Sequence, residues 1–337
     1  MLVFFLHGVA TKDADYSKPL QHLLRAEFNR RQQPLPHFYA GFWGNVLKQT
    51  GQMWNWIHKD LQDVKTLHPH VDIQDLFRYQ EMREDFISQF FGDALTYFNP
   101  ERGLDIRDTI AEQLYKFLKH HPQETDLHIV SHSLGTVILW DILFSERFAS
   151  DDPAYTIRSL MAPYNQNIPG KVGLKSLTTM GSPILFFNMM LNVLPEQVEA
   201  FVATYKDEPF RWINLIHASD MIAYPLKSSL NMSGIPNLFF RDQFIQLDAN
   251  GVEKAARILG QVHAAMAIGI SDAHASYWQS SKAVTLVTSN LLGDADALDS
   301  TEANLDSANP FSAGLTSELF DLPSKLLQQK LQSFKIS

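Results

Sequence analysis

The residues of this chain that could perform chemistry are a serine, an aspartate and a histidine, found in that order as Ser133, Asp220 and His274. A serine hydroxyl is a weak nucleophile at neutral pH, so it needs a histidine base within hydrogen-bond reach. The imidazolium that then forms needs a carboxylate beside it. Such a set attacks a carbonyl carbon and carries the acyl group on the serine, so the three residues predict acyl chemistry.

Ser133 lies in the segment LHIVSHSLGT of residues 127–136, where an apolar run changes into an amphipathic helical pattern. A sharp strand-to-helix turn strains the serine backbone and presents its Oγ at the end of a sheet, so the residues two before and two after it must be small. Ser131 and Gly135 meet that requirement, although the usual pattern G-x-S-x-G has a glycine in place of Ser131. The segment predicts a strand, a tight turn at Ser133 and a helix.

Asp220 and His274 stand where an acid and a base are needed. Asp220 directly follows the strand pattern 212–218 and precedes Pro225, and His274 comes immediately before the last helical pattern. Loop residues that follow parallel strands meet at the carboxyl edge of the sheet, and the chain order serine, acid, histidine is the one used with this kind of turn.

Other residues compete for these two roles. Asp272 is the main alternative to Asp220. We interpret His217 as structural because it lies inside a strand pattern, and His263 because it lies in an alanine-rich segment.

An acyl-transfer site also needs N–H donors aimed at the developing oxyanion. We expect these donors to be the backbone N–H groups of Leu134, which follows the nucleophile, and of Val9, because Gly8 lets the backbone pass close to a substrate. The residues predicted to line the substrate pocket are His7, Gly8, His132 and Ile184.

Alternating strand and helix patterns surround these residues and predict an α/β fold, with a mostly parallel central sheet and helices on both faces. Predicted strands cover 2–6, 37–43, 127–132, 174–180 and 212–218, with a short hairpin at 237–247. Predicted helices cover 18–30, 106–120, 134–148 and 276–292.

The domain prediction is one core, 1–292, with additions. Residues 45–99 are helical in pattern and rich in large aromatic rings, which predicts a helical cap or lid inserted into the core. Residues 293–314 carry aspartates and a glutamate without Lys or Arg and predict a flexible, solvated linker. Residues 315–337 predict an amphipathic C-terminal helix.

Composition excludes several classes of function. The net charge of −9 with no basic cluster disfavours nucleic acid as a partner. The chain has no cysteine, so it has neither disulfides nor thiolate zinc sites, and we predict no metal site. No run is long enough to span a membrane and no signal peptide is recognised, so we expect a cytoplasmic protein with at most peripheral membrane contact.

The chain resembles the serine esterase and lipase branch of the α/β-hydrolase superfamily over residues 1–42 and 105–292. The segments that carry the resemblance are Leu6-His7-Gly8, the turn at residues 130–135, Met180-Gly181-Ser182-Pro183, Asp220 with Pro225, and His274 with Tyr277. The resemblance implies an α/β-hydrolase fold and hydrolysis of an ester or related acyl bond without a cofactor.

The expected function is therefore a serine hydrolase that cleaves carboxylic esters through an acyl-enzyme. The apolar side chains of 45–99 and 184–194 favour an apolar or lipid-like substrate. Two alternatives stay open at this point: acyl transfer or thioester cleavage by the same residues, and a noncatalytic binding module. The sequence leaves the oligomeric state open.

Overall fold

The unit Met1–Ala295 is built on a parallel β-sheet. The computed structural model describes residues 1–9, 11, 13–46, 50–77, 89–161, 172–205, 208–245 and 273–303. Within these ranges the sheet has six strands: β1 (Leu2–Leu6), β2 (His37–Gly41), β3 (Asp126–His132), β4 (Gly173–Met180), β5 (Phe210–His217) and β6 (Leu238–Ile245). Their spatial order is β2-β1-β3-β4-β5-β6, and all neighbours are parallel. The predicted α/β class with a parallel central sheet is confirmed.

Helices connect and cover the strands. The first six are α1 (Lys18–Arg30), α2 (Thr50–Leu67), α3 (Ile73–Leu76), α4 (Gln89–Phe98), α5 (Pro100–His120) and α6 (Leu134–Phe144). The next five are α7 (Pro153–Leu160), α8 (Ile184–Leu191), α9 (Pro195–Val202), α10 (Ser281–Leu292) and α11 (Ala295–Ala303). In the described ranges, no helix combines the length and the apolar character that crossing a membrane requires.

The two faces of the sheet carry different helices. Asn290 of α10 donates to the Thr178 hydroxyl at 3.0 Å, while the Trp140 ring of α6 contacts the ring of Trp212, 5.8 Å between centroids. Trp212 is paired in register with Leu177, the neighbour of Thr178. Because consecutive strand residues point to opposite faces, α10 and α6 lie on opposite sides of the sheet. Strands buried in this way on both faces read as continuous apolar runs, as β1 does.

Helix α6 differs from the prediction in two respects. All eleven of its residues are buried, so it is not amphipathic, and it ends at Phe144 rather than near residue 148. A helix that is apolar on all sides belongs inside a core, and α6 packs between β3 and the neighbouring helices α7 and α8.

The hairpin predicted at 237–247 is wrong, because residues Leu238–Ile245 form the single strand β6. This strand pairs in parallel with β5 over its whole length, from Phe210 opposite Leu238 to His217 opposite Ile245. The run of large apolar side chains reflects burial beside β5. It does not mark two antiparallel strands around a turn.

The described part of the predicted insertion 45–99 contains the helices α2, α3 and α4, with a non-helical turn at 68–72. Its last helix is tied to the core: the Tyr97 hydroxyl donates to Asp141 of α6 at 2.6 Å, and Asp141 also accepts from Arg147. A role as a cap or lid stays a prediction.

The end of the described chain departs from the predicted linker 293–314, because Ala295–Ala303 is helical. Alanine, leucine and glutamate favour helix, and Asp296 is placed in the first turn, where a negative charge is stabilised. Residues 304–314 and the predicted helix 315–337 lie outside the described residues.

Four histidines are buried in or directly after the strands, His7, His128, His132 and His217, and the pKa values of the first three are lowered. Burial lowers the pKa of His7 to about 4, against a hydrogen bond to the Gly8 carbonyl that raises it. Burial also lowers the pKa of His128 and of His132 to about 3, with further lowering by nearby basic groups. All three imidazoles are therefore neutral at neutral pH.

These histidines predict a loss of stability in mild acid. Below about pH 6.5 these three imidazoles bind protons in the unfolded chain but not in the folded chain. The free energy of unfolding therefore falls as the pH drops toward 4, by about 1.4 kcal/mol per pH unit for each histidine. Urea unfolding at a series of pH values measures this slope. The variant His128→Gln should reduce the slope of the free energy of unfolding against pH by about one third of the part that the three histidines contribute.

The exposed His22 supplies the matched control, since His22→Gln makes the same substitution at an imidazole that is not buried. An equal slope in native protein and His128→Gln would contradict the assignment of a buried neutral His128.

Candidate active site

Ser133 occupies a strained turn between β3 and α6. Its backbone has φ +54° and ψ −130°, a region that costs a non-glycine residue about 1 to 3 kcal/mol. Neighbours hold this conformation: the Ser133 N–H donates to the Met180 carbonyl at 3.0 Å, and the Thr136 hydroxyl donates to the Ser133 carbonyl at 2.7 Å. The tight turn predicted at this residue is present.

Two glycines allow the backbones around Ser133 to approach each other. A Cβ at Gly8 would lie 2.3 Å from the Cβ of Ser133, and a Cβ at Gly135 would lie 2.4 Å from the His7 carbonyl oxygen. Real Cβ atoms do not come this close to other atoms. The loop after β1 and the first turn of α6 therefore fit together only with glycine at both positions.

Ser133, His274 and Asp220 form a hydrogen-bonded series. His274 Nε2 lies 2.8 Å from Ser133 Oγ, and His274 Nδ1 lies 2.9 Å from Asp220 Oδ2. An ionised carboxylate only accepts, so Nδ1–H is the donor to Asp220, and Nε2 then accepts from the Ser133 hydroxyl. The three residues are 0, 8 and 6 % exposed. The structure thus brings together the three residues that the sequence singled out, far apart along the chain.

The Asp220 carboxylate has three donors. Oδ2 accepts from His274 and from the Tyr277 hydroxyl at 2.9 Å, and Oδ1 accepts from the Ile222 N–H at 3.1 Å. Burial by itself raises the pKa of Asp220, but the charge and hydrogen bond of His274, with the other two donors, outweigh it and lower the pKa. Asp220 is therefore ionised beside the imidazole. The alternative acid, Asp272, lies outside the described residues.

The Tyr277 hydroxyl links Asp220 to the end of β5 through two hydrogen bonds. Its hydroxyl oxygen accepts from the His217 N–H at 2.7 Å while its proton goes to Asp220. Burial, with the nearby Asp220 charge, raises the pKa of Tyr277 well above its usual value, so the hydroxyl keeps its proton. The ring of His217 has a different use, since its Nδ1 accepts from the Ser219 N–H. His263 lies outside the described residues.

Asp242, in the middle of β6, fixes the loop that follows Asp220, residues 221–227. Its carboxylate accepts from the backbone N–H groups of Leu226 and Lys227 at 2.9–3.1 Å and from the Asn214 amide at 2.7 Å. That amide also donates to the Tyr224 carbonyl. Sequence reasoning missed this residue, although an aspartate between the apolar runs 238–240 and 244–245 was the available signal.

His132 was predicted to line the substrate pocket, but the structure places it against the backbone of the base. Its Nε2 lies 2.7 Å from the His274 carbonyl oxygen, so Nε2 carries the proton and donates. Its ring packs on the rings of His274, Tyr277 and Trp278, with centroids 4.7–5.6 Å apart. His132, the residue before Ser133, is therefore hydrogen-bonded to the backbone of His274.

His7 was also predicted to line the pocket, and in the structure its ring orients the loop after β1. Its Nε2 accepts from the Trp43 N–H at 3.0 Å, so Nδ1 carries the proton and donates to the Gly8 carbonyl at 2.7 Å. In a trans peptide the C=O and N–H point in opposite directions, so the Val9 N–H points away from His7. The second predicted donor, Leu134, is the first residue of α6, whose N–H has no partner within the helix.

The surface next to the site is apolar. Ile184, predicted to line the pocket, is buried at the start of α8, where its N–H donates to the Ser182 hydroxyl at 3.3 Å. Farther along α8, Phe186 and Met189 are exposed, as is Met221 beside Asp220. Because Ser133 itself is completely covered, side chains around it must move before a substrate can reach its Oγ.

Among the residues that the structure describes, no group of three or more His, Asp and Glu side chains is arranged to hold a metal ion.

Comparisons with known proteins leave the activity open. The chain matches no protein-family model and no curated protein. One solved structure with some similarity is that of the product of gene lin2722 from Listeria innocua, at 12 % identity, with 86 % of this chain and 93 % of that chain covered and a TM-score of 0.34. At that identity and TM-score the likeness supports no statement about function.

Proposed function

We propose that this chain is a serine hydrolase that cleaves carboxylic esters through an acyl-enzyme, like the serine esterase and lipase branch of the α/β-hydrolase superfamily. The observation that supports it best is the hydrogen-bonded series from Ser133 through His274 to Asp220, at 2.8 and 2.9 Å. A hydroxyl, an imidazole and an ionised carboxylate in this geometry are the components of an activated nucleophile. The strained backbone of Ser133 is a second support, since such strain concentrates at functional sites.

In the proposed reaction His274 Nε2 removes the Ser133 proton as Oγ attacks the ester carbonyl carbon. The Leu134 and Val9 N–H groups hold the oxyanion. His274 then gives the proton to the leaving alcohol as the ester C–O bond breaks. Water, deprotonated by the same imidazole, attacks the acyl-enzyme and releases the carboxylic acid, and the serine recovers its proton. Asp220 keeps Nδ1 protonated and stabilises the imidazolium.

An apolar acyl group is the proposed substrate class. Helix α8 begins just after Ser182, whose hydroxyl is bonded to Thr136 of the Ser133 turn at 2.8 Å. The eight residues of α8 include no charged side chain, and Phe186 and Met189 are exposed on it. Exposed apolar side chains beside a reactive serine favour an acyl chain over a small polar acid.

Reaction with a fluorophosphonate probe tests the nucleophile. We expect the native protein to be labelled on Ser133, because the probe reacts with serines activated by a base. Labelling should vanish in Ser133→Ala and persist in Ser159→Ala, which removes an exposed hydroxyl on α7. Mass spectrometry of the labelled peptide gives the readout. Folded native protein that takes up no label would contradict the proposal and favour a binding module.

His132 should act as a positioning residue in this reaction. The variant His132→Phe keeps a ring against Tyr277 and Trp278 but loses the donor to the His274 carbonyl. We expect kcat to fall about 10- to 100-fold through misplacement of the base, with KM nearly unchanged. His132→Gln, which keeps an N–H donor, should recover part of the loss. Steady-state kinetics on one p-nitrophenyl ester measure both constants.

The exposed His22 on α1 is the control, and His22→Phe should behave as the native protein. A kcat of His132→Phe equal to the native value would show that the bond to His274 has no role in positioning.

The acyl preference is tested with p-nitrophenyl esters from acetate to octanoate. We expect kcat/KM to rise with chain length, by up to about fourfold for each methylene that becomes buried. Phe186→Ser should reduce the rate on octanoate and leave the rate on acetate unchanged. Leu104→Ser, which removes an exposed apolar side chain on α5, should change neither. A native preference for acetate would argue against an apolar acyl substrate.

A further inference from the structure

A cavity lies at the amino ends of the strands, the end of the sheet opposite to Ser133. It has a volume of about 510 Å³ and is lined near the amino ends of four strands by residues that include His128, Lys175, Arg211 and Phe239, with Leu291 of α10 and Gly293 after it. Cavities of this size hold small molecules in other proteins. Nothing in the proposed esterase reaction uses it.

A row of paired residues crosses the sheet at this cavity, and its members His128, Arg211 and Phe239 line the cavity. His128 of β3 is paired in register with Ser176 of β4, Ser176 with Arg211 of β5, and Arg211 with Phe239 of β6. Residues paired in this way share one face of the sheet. The interior of a parallel sheet covered on both faces is normally apolar. His128 and Ser176 satisfy each other, because His128 Nδ1 lies 2.8 Å from Ser176 Oγ, so Arg211 is the member of the row whose burial needs an explanation.

The guanidinium of Arg211 is only partly compensated. Its side chain is 15 % exposed, and its Nε donates to the Asn290 carbonyl at 3.1 Å. In the described ranges, the carboxylate within ion-pair distance is that of Glu208, 3.9 Å from Nη1 and 71 % exposed. A contact of 3.9 Å is too long for a hydrogen bond. A guanidinium has five N–H donors, and burying its charge is costly unless those donors are used.

Lys175 adds a second positive charge at the same cavity. It is the extra residue of a β-bulge, because Leu127 pairs with Leu174 and His128 already pairs with Ser176. Bulges redirect side chains, and they often do so near functional sites. The Lys175 ammonium lies 4.0 Å from Asp126, again at the limit of an ion pair, and both side chains are more than a third exposed.

We propose that this cavity binds a small organic monocarboxylate, held at its charged end by Arg211 and Lys175 and at its apolar end by Phe239 and Leu291. The planar guanidinium matches a carboxylate through two parallel hydrogen bonds. Asp126 and Glu208 at the rim oppose a doubly charged anion such as a phosphate monoester, which favours a single negative charge. The apolar walls favour a ligand with a hydrocarbon body.

Isothermal titration of the whole chain with sodium hexanoate tests the proposal. The titrations use protein already labelled at Ser133, or Ser133→Ala if no label is taken up, so the result does not depend on the esterase proposal. We expect saturable binding that Arg211→Gln weakens roughly 10- to 100-fold, the usual effect of losing hydrogen bonds to a charged group. Arg102→Gln, at an exposed arginine of α5, should bind as the native protein.

Lys175→Gln is the second variant and provides the test if Arg211→Gln does not fold. Because Lys175 is partly exposed, its substitution should be tolerated. We expect Lys175→Gln to weaken hexanoate binding as well. Hexyl phosphate and hexylamine in place of hexanoate should bind more weakly. Absence of saturable binding, equal binding by native and both variants, or tighter binding of hexyl phosphate would each overturn the proposal.

Discussion

The close approach of two backbone segments at the carboxyl edge of the sheet is the constraint on which the candidate site depends. The loop after β1 passes so near to Ser133 that Gly8 has no room for a Cβ, and α6 begins so near to the same loop that Gly135 has none either. The positive φ of Ser133 is the third part of this arrangement. The strained turn holds the Ser133 Oγ in one direction. The loop after β1 and the start of α6, which carry the N–H groups proposed as oxyanion donors, come together beside it.

The proposed base, His274, and the proposed acid, Asp220, are held by contacts with the backbone as well as with each other. His274 is fixed through its ring by Asp220 and through its carbonyl by His132, so the imidazole cannot shift along the sheet edge without breaking one of two bonds. Asp220 is fixed through Tyr277, which is bonded to the end of β5. Two of these bonds, from His132 to the His274 carbonyl and from the His217 N–H to Tyr277, start at the end of a strand. The rigidity of the sheet is thereby transmitted to side chains on loops.

The sequence predicted what depends on local pattern. The apolar run of β1 and the small residues around Ser133 give the strand and the turn from neighbouring residues alone. The sequence could not predict the features that depend on contacts with residues far away along the chain. The roles of His7 and His132 follow from which backbone group faces each ring nitrogen, and that is decided by residues 36 and 142 positions away. In β6 the apolar pattern was visible, but its direction depends on pairing with β5.

Buried charges elsewhere in the core show how this chain normally compensates them. Asp242 accepts from two backbone N–H groups and one amide. Arg107 donates two hydrogen bonds to Asp152, at 2.6 and 2.8 Å. Such compensation is what makes a charge tolerable away from water. The guanidinium of Arg211 departs from that rule, with one bond to a carbonyl and a carboxylate 3.9 Å away, and it does so where the sheet borders a cavity. A ligand carboxylate in that cavity would give Arg211 the compensation that Arg107 obtains from Asp152, so the energetics of the fold and the proposed binding site lead to the same conclusion.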